Sequence, residues 1–318
     1  MRHEIVHNRR VVEELGAKGA IFVDELSQVP TGAHTIFSAH GVSSGVEEDA
    51  KLRGLSVIDA TCPLVEKVHK EAQKFSAKGR KVILIGHRGH PEVEGTSGRV
   101  EEGVILVSSV ADVAALPLDE AGAFAYVTQT TLSVDDTREI IKELHRRFPD
   151  IIGPDLRDIC YATQNRQNAV RVLAEQCDLI LVVGDETSSN SNRLRDIGLE
   201  MLVPTYLIHN ANCIQSAWLE GVATVGITAG ASAPENLVQE VVMYLGRAAP
   251  IDVQTLEGIV EQVDVKLPSE LNELYFAVQQ IGVFPEGLFD LGVRFVAFTR
   301  LLRRFLNDYI FGSLIESK

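Results

Sequence analysis

The sequence predicts a parallel α/β protein, and three observations carry that prediction. Short β-branched runs recur along the chain with helix-compatible stretches between many of them, the order that builds parallel sheets. The polar and small residues able to do chemistry collect just after those runs, where open α/β sheets bind ligands. Finally, 318 residues that are 45% hydrophobic suffice for two or three compact units with sizeable cores.

Taken in order, residues His3–Gly16 read as a helix, with Ile5, Val6, Val11, Val12 and Leu15 on its apolar side and no strand before it. The first unit is therefore expected to lack its opening strand. Strands follow at Ala20–Asp24, Thr35–Ala39, Ser56–Ala60, Lys81–Gly86, Gly103–Val107, Ala125–Thr128, Leu179–Gly184, Thr205–Ile208 and Ala223–Thr228. Helices are expected at Leu64–Lys78, Val134–Phe148, Gln164–Gln176, Ser191–Met201, Asn212–Glu220 and Glu235–Leu245. A composition change just after Leu267–Pro268 marks a boundary: residues 271–318 hold seven of the twelve Phe, with five basic and five acidic residues. There Phe295, Phe298, Leu302, Phe305 and Tyr309 recur at helical spacing. They predict an amphipathic helix that packs on protein, or lies on a membrane surface.

Thirty basic against 44 acidic residues leave a net charge of −14, so a nucleic-acid or anionic-membrane surface would work against net repulsion. The N-terminus is charged from its second residue and carries no apolar secretory core. Four cysteines without a Cys-x-x-Cys pair do not form a secreted disulfide framework and suit a reducing cytosol. A cytoplasmic location is expected.

Two of those cysteines recur in matching contexts, Ile58–Pro63 and Asp158–Thr163, each at a strand-to-helix junction. Unpaired N–H groups there favour the thiolate that ligates metal or attacks an electrophile, which sets Cys62 and Cys160 apart from Cys177 and Cys213 among apolar neighbours. Burial as ordinary core residues is the competing reading. His7, His40 and His90 lie in tight polar contexts, and the Gly-rich turn around His90 is followed by two acids, Glu92 and Glu94, either of which could donate a proton. The run Ser188–Asn192 opens a helix with hydroxyls, amides and free N–H groups, an arrangement that binds phosphate. Thr228–Pro234 repeats the idea with Ser232. No Walker lysine motif or G-x-G-x-x-G run is present, which favours a small organic phosphate or diphosphate over a nucleotide.

The runs RHEIVHN (2–8), FSAHGVS (37–43), DATCPLVEKVH (59–69), GHRGHPEVEGT (86–96), TQTTLSVDDT (128–137), DICYATQNRQ (158–167), SSNSNRL (188–194) and TAGASAPE (228–235) occur in order. Over residues 2 to about 270 the chain resembles the 4-hydroxy-3-methylbut-2-enyl diphosphate reductases of the non-mevalonate isoprenoid pathway. That resemblance implies a trefoil of three related α/β units around a central 4Fe-4S cluster. The implied reaction is two-electron reductive dehydroxylation of the substrate to isopentenyl and dimethylallyl diphosphates. Cys62 and Cys160 are then two of three cluster cysteines. His7, His40, Ser188, Ser189, Asn190 and Ser232 hold the diphosphate, and His90 shares their pocket. Glu92, rather than Glu94, delivers protons, and Thr130 lies near the substrate alcohol. A ferredoxin or flavodoxin supplies the electrons.

The units implied are 1–61, 62–158 and 159–247, with 248–270 returning to the first and 271–318 an atypical tail. The family's remaining cluster cysteine lies in a Gly-Phe-Cys-Ala-Gly type segment upstream of the position of Met1. A start assigned too late, or a truncated gene, is the corresponding expectation. The alternative is a cluster-deficient protein that binds the diphosphate without turning it over.

Overall fold

The computed structural model describes residues 1–117, 122–256 and 258–259, so the expected tail helix lies outside the described residues. Among those residues there are three small sheets in which every strand pairing is parallel. The first pairs β1 (His34–Phe37) with β2 (Ser56–Asp59). The second places β3 (Lys81–Ile85) between β4 (Ile105–Val107) and β5 (Phe124–Thr128). The third repeats that order, with β6 (Leu179–Val183) between β7 (Thr205–Ile208) and β8 (Val225–Ala229). The helices are α1 (Arg9–Ala17), α2 (Ser44–Leu52), α3 (Pro63–Ala77), α4 (Pro91–Ser97), α5 (Val110–Ala115), α6 (Val134–Arg147), α7 (Tyr161–Gln176), α8 (Ser189–Glu200) and α9 (Glu235–Ala248).

Each sheet is covered on both faces, which is why its strands read as continuous apolar runs. In the second sheet Ile83, Ile85, Phe124 and Tyr126 face a core completed by Ile140 and Leu144 of α6. Val82, Leu84 and Val127 point the other way, onto Val68 and Ala72 of α3 and Val93 of α4. The third sheet divides likewise, with Leu179, Leu181 and Val183 against Leu237 and Val241 of α9, and Ile180 and Val182 against Val170, Leu194 and Ile197. In both three-stranded sheets the first strand is central and the chain crosses to the opposite edge for the third, leaving a switch point at the carboxyl end of the central strand.

Several expectations need correcting. The first helix begins at Arg9, not His3, because the start of the chain is tied into the first sheet: Arg2 N–H donates to Ile36 C=O, and His3, in the left-handed region at φ 60°, donates its N–H to Val23 C=O. Arg2 bridges Val23 on one side and Phe37 on the other, so Ala20–Asp24 contributes a single bridge rather than a strand. Asn8 then caps α1, its Oδ1 accepting from Val11 N–H. The expected helix Asn212–Glu220 is two short 3-10 turns, Ala211–Cys213 and Ser216–Leu219. Asn210 caps the first turn, and Trp218 stacks on Tyr206 at 3.8 Å, holding this segment against the sheet. Helices α2, α4 and α5 were not expected; each is short, from six to nine residues, and too brief for a clear apolar period.

Candidate functional site

The histidines, hydroxyls, acid and Cys62 singled out from sequence follow carboxyl ends of strands or the Arg2 bridge, whereas Cys160, expected at a strand-to-helix junction, follows a turn at 155–158 beyond the isolated Ile152 bridge. His7 follows the Arg2 bridge, His40 follows β1, and His90 follows β3 as the N-cap of α4. Their rings form a triangle, with centroids 4.3 Å apart for His7 and His40, 5.5 Å for His7 and His90, and 5.7 Å for His40 and His90.

Local bonds fix two of these rings. Glu92 N–H donates to His90 Nδ1 at 3.2 Å, so the neutral ring carries its proton on Nε2. His40 Nδ1 is hydrogen-bonded to Ser38 Oγ, also at 3.2 Å. Burial, reinforced by the neighbouring imidazoles, holds His40 well below the usual histidine range and brings His90 down to about 4. Both ring nitrogens of His7 are buried without a hydrogen-bond partner, although Nδ1 lies 3.5 Å from the Glu4 carboxylate.

The third sheet supplies the facing wall. Ser188 caps α8 by accepting from Ser191 N–H, and Ser189 Oγ donates to Thr131 C=O. Asn190 is 3% exposed, yet neither its Oδ1 nor its Nδ2 has a partner. An amide buried without bonds costs stability unless a bound group or a water satisfies it. Gly230 permits this wall to close: a Cβ there would lie 2.1 Å from Ser191 Oγ. Ser232 Oγ donates to the His7 carbonyl at 2.9 Å and so ties the third sheet to the histidine triangle. Beside these groups opens a cleft of about 540 Å³, lined by His7, His90, Thr131, Ser189, Arg88 and Arg193 among others.

The two acids left open by spacing are separated by the structure. Glu94 is exposed, whereas Glu92 is 2% exposed in the first turn of α4. The Glu92 carboxylate accepts from Thr130 N–H at 2.6 Å and from Thr130 Oγ1 at 3.0 Å. Burial outweighs those two bonds and pushes Glu92 up to about 7, the range of a group that gives and regains a proton near neutrality.

Cys62 and Cys160 are the N-caps of α3 and α7. Cys62 N–H donates to Ala39 C=O and Cys160 N–H to Thr130 C=O, so the backbone of one cysteine is fastened to the His40 loop and that of the other to the residue that bonds Glu92. The thiols lie within each other's electrostatic reach, and both are free. The expectation that helix ends favour the thiolate is corrected here: burial raises both thiols, outweighing the Leu64 and Val65 N–H groups at Cys62 and the Thr163 hydroxyl and N–H at Cys160. A cation bound by both would reverse that balance. Two convergent thiols fit two ligand positions of an iron-sulfur cluster. Among the described residues no set of three or more His, Cys, Asp or Glu is arranged to hold a metal. Cys177 and Cys213 are half-buried at the margins of the apolar clusters on the third sheet.

Two further residues matter that were not singled out, though both lie in the quoted runs. Gln129 Oε1 accepts from His87 N–H and its Nε2 donates to Thr131 Oγ1, bracing the loop that carries His90. Asp158 is buried and bonded to Thr128 N–H and Lys67. Complete burial of a polar side chain was the signal, and sequence position alone does not report it.

The chain is similar to known proteins over most of its length. The family model described as LytB protein matches residues 1–246. The 4-hydroxy-3-methylbut-2-enyl diphosphate reductase of Burkholderia pseudomallei (strain 1026b) is 59% identical over 273 residues, 86% of this chain and 87% of that protein. A reductase of the same name, numbered 1, from Rhodopseudomonas palustris is 59% identical over 271 residues, 85% of this chain and 89% of that one. Among solved structures, the E-1-hydroxy-2-methyl-but-2-enyl-4-diphosphate reductase from Plasmodium falciparum superposes with a TM-score of 0.83 at 38% identity, covering 87% of this chain and 88% of that one. No helix among the described residues is long and apolar enough to cross a membrane.

Proposed function

The chain belongs to the LytB family of 4-hydroxy-3-methylbut-2-enyl diphosphate reductases, 4Fe-4S enzymes of isoprenoid biosynthesis, and from that membership we propose how its own residues carry the reaction. The observation that carries the assignment of roles is the convergence of the histidine triangle and the unsatisfied Asn190 on one side with the buried Glu92–Thr130 pair, backed by Cys160, on the other.

His7, His40, Ser188, Ser189, Asn190 and Ser232 hold the diphosphate, with His90 in the same pocket. The amide of Asn190 and the ring nitrogens of His7 gain the partners they lack, and the N-terminus of α8 adds its dipole. An anion beside His40 raises the affinity of that ring for a proton, so the histidine wall becomes cationic as the ligand arrives. Anchored by its diphosphate, the substrate places its allylic alcohol at Thr130. Glu92 donates a proton to the departing hydroxyl, the C–O bond breaks and water leaves. Two electrons and a second proton complete isopentenyl or dimethylallyl diphosphate.

Cys62 and Cys160 supply two ligands of the 4Fe-4S cluster. When bound, the cluster delivers electrons singly, drawn from a ferredoxin or flavodoxin. Three units, 1–61, 62–158 and 159–247, form a trefoil about that centre, 248–270 returns to the first unit, and 271–318 is an accessory tail. In support, each of the three sheets contributes site residues from its carboxyl edge. The cytoplasm is the location that fits free thiols and an oxygen-sensitive cluster.

The reading is tested by adding 4-hydroxy-3-methylbut-2-enyl diphosphate and dithionite-reduced methyl viologen to the anaerobically reconstituted protein. Formation of both isoprenoid diphosphates is the expected result. Tight substrate binding with no product would favour the cluster-deficient binding protein instead.

A further inference from the structure

Resting on the reading of Cys62 and Cys160 as cluster ligands, we infer that Asp158 is a positioning residue that sets the two thiols relative to each other and to the Glu92–Thr130 pair. Its side chain has no solvent exposure, and three elements meet on it. Oδ2 accepts from Thr128 N–H at 3.2 Å, at the end of β5. Oδ1 accepts from Lys67 Nζ at 2.9 Å, and Lys67 lies on α3, whose N-cap is Cys62. The same ammonium donates to Arg157 C=O at 3.1 Å, so Lys67 grips the segment that carries Cys160 twice.

Two residues beyond Asp158, Cys160 N–H donates to the carbonyl of Thr130, itself two residues beyond Thr128. These paired bonds run the Cys160 segment alongside the end of β5. There Thr130 turns its N–H and hydroxyl to Glu92. One carboxylate thus fastens the Cys62 helix, the Cys160 segment and the end of β5 that leads to Thr130, the partner of Glu92.

A buried charge is a costly way to fill space, and an apolar pair of similar volume would pack at least as well. What the ion pair adds is direction. Groups that orient metal ligands from outside the ligand set typically change metal affinity or activity by about 10-fold to 100-fold when removed. Glu71 lies beside the pair, 3.8 Å from Lys67 Nζ, and its carboxyl is raised by burial and by Asp158.

Cobalt(II) titration of the metal-free chain, followed by the thiolate-to-cobalt absorption band, reads the thiol geometry without turnover. Asp158→Asn and Lys67→Met should each weaken cobalt binding about 10-fold or more, and Lys67→Arg, which keeps the ion pair, should restore it. Circular dichroism of Lys67→Met at the titration temperature verifies its fold, and the ion pair kept in Lys67→Arg separates loss of thiol geometry from loss of the fold. Unchanged cobalt affinity in Lys67→Met would overturn the role of the Asp158 pair. A band that survives in Cys62→Ser and Cys160→Ser, or no band in the unaltered chain, would instead overturn the ligand reading beneath it.

Discussion

Replacing Glu92 by Gln removes a titrating proton and keeps the side chain's shape. The amide oxygen can still accept from Thr130 N–H, and the new amide can donate to Thr130 Oγ1. In the folded chain burial pushes Glu92 from 4.5 to about 7. Below pH 4.5 the carboxyl is protonated in both folded and unfolded chains and carries no penalty. Between 4.5 and 7 the unfolded chain releases a proton that the folded chain keeps, so stability falls as pH rises; above 7 the loss is complete. The gap is worth roughly 3 kcal/mol, at about 1.4 kcal/mol per pKa unit. Urea unfolding of the metal-free native and Glu92→Gln proteins at pH 5 and pH 8 isolates this group, because all other titrations cancel in the difference. The Gln variant should gain about 2–3 kcal/mol on the native protein over that interval. Its turnover when reconstituted should be lower by roughly 100-fold or more, the scale for a positioned proton donor. Parallel stability curves, or near-normal turnover, would refute the placement of Glu92 as a buried acid.

Two other expectations follow from the residues of the pocket. Because an anion raises the proton affinity of the buried His40 ring, diphosphate binding should take up protons and weaken as pH rises; calorimetry in buffers of different ionisation enthalpy measures this, and identical enthalpies would contradict it. Asn190→Ala removes an amide that has no partner in the free chain, so thermal stability should hold or rise while ligand affinity falls about 10-fold; a marked loss of stability with affinity intact would reverse the assignment.

The alternation of strands and helices was legible because parallel strands buried on both faces leave unbroken apolar runs, as at Leu179–Val183. The start of the chain was not, since Ile5 and Val6 match a helical period yet lie in a buried non-helical segment just after Arg2 and His3, which are held to Ile36 and Val23. At the site, Cys62, Cys160 and Ser188 stood out because capping positions have local sequence signatures. The choice of Glu92 over Glu94 follows in the structure from burial against Thr130, 38 residues away, which no local pattern encodes. The thiol equilibrium was misjudged for the same reason: the helix end is visible in the sequence, and the desolvation that outweighs it is not. Asp158 escaped notice because its partners come from α3 and β5, brought together only by folding.

The most direct test of the central claim is anaerobic iron and acid-labile sulfide analysis, with EPR of the reduced protein, on the native chain beside Cys62→Ser and Cys160→Ser. The account predicts iron, sulfide and a cluster signal in the native chain that each substitution diminishes or abolishes. Equal iron, sulfide and EPR signal in all three proteins would contradict it.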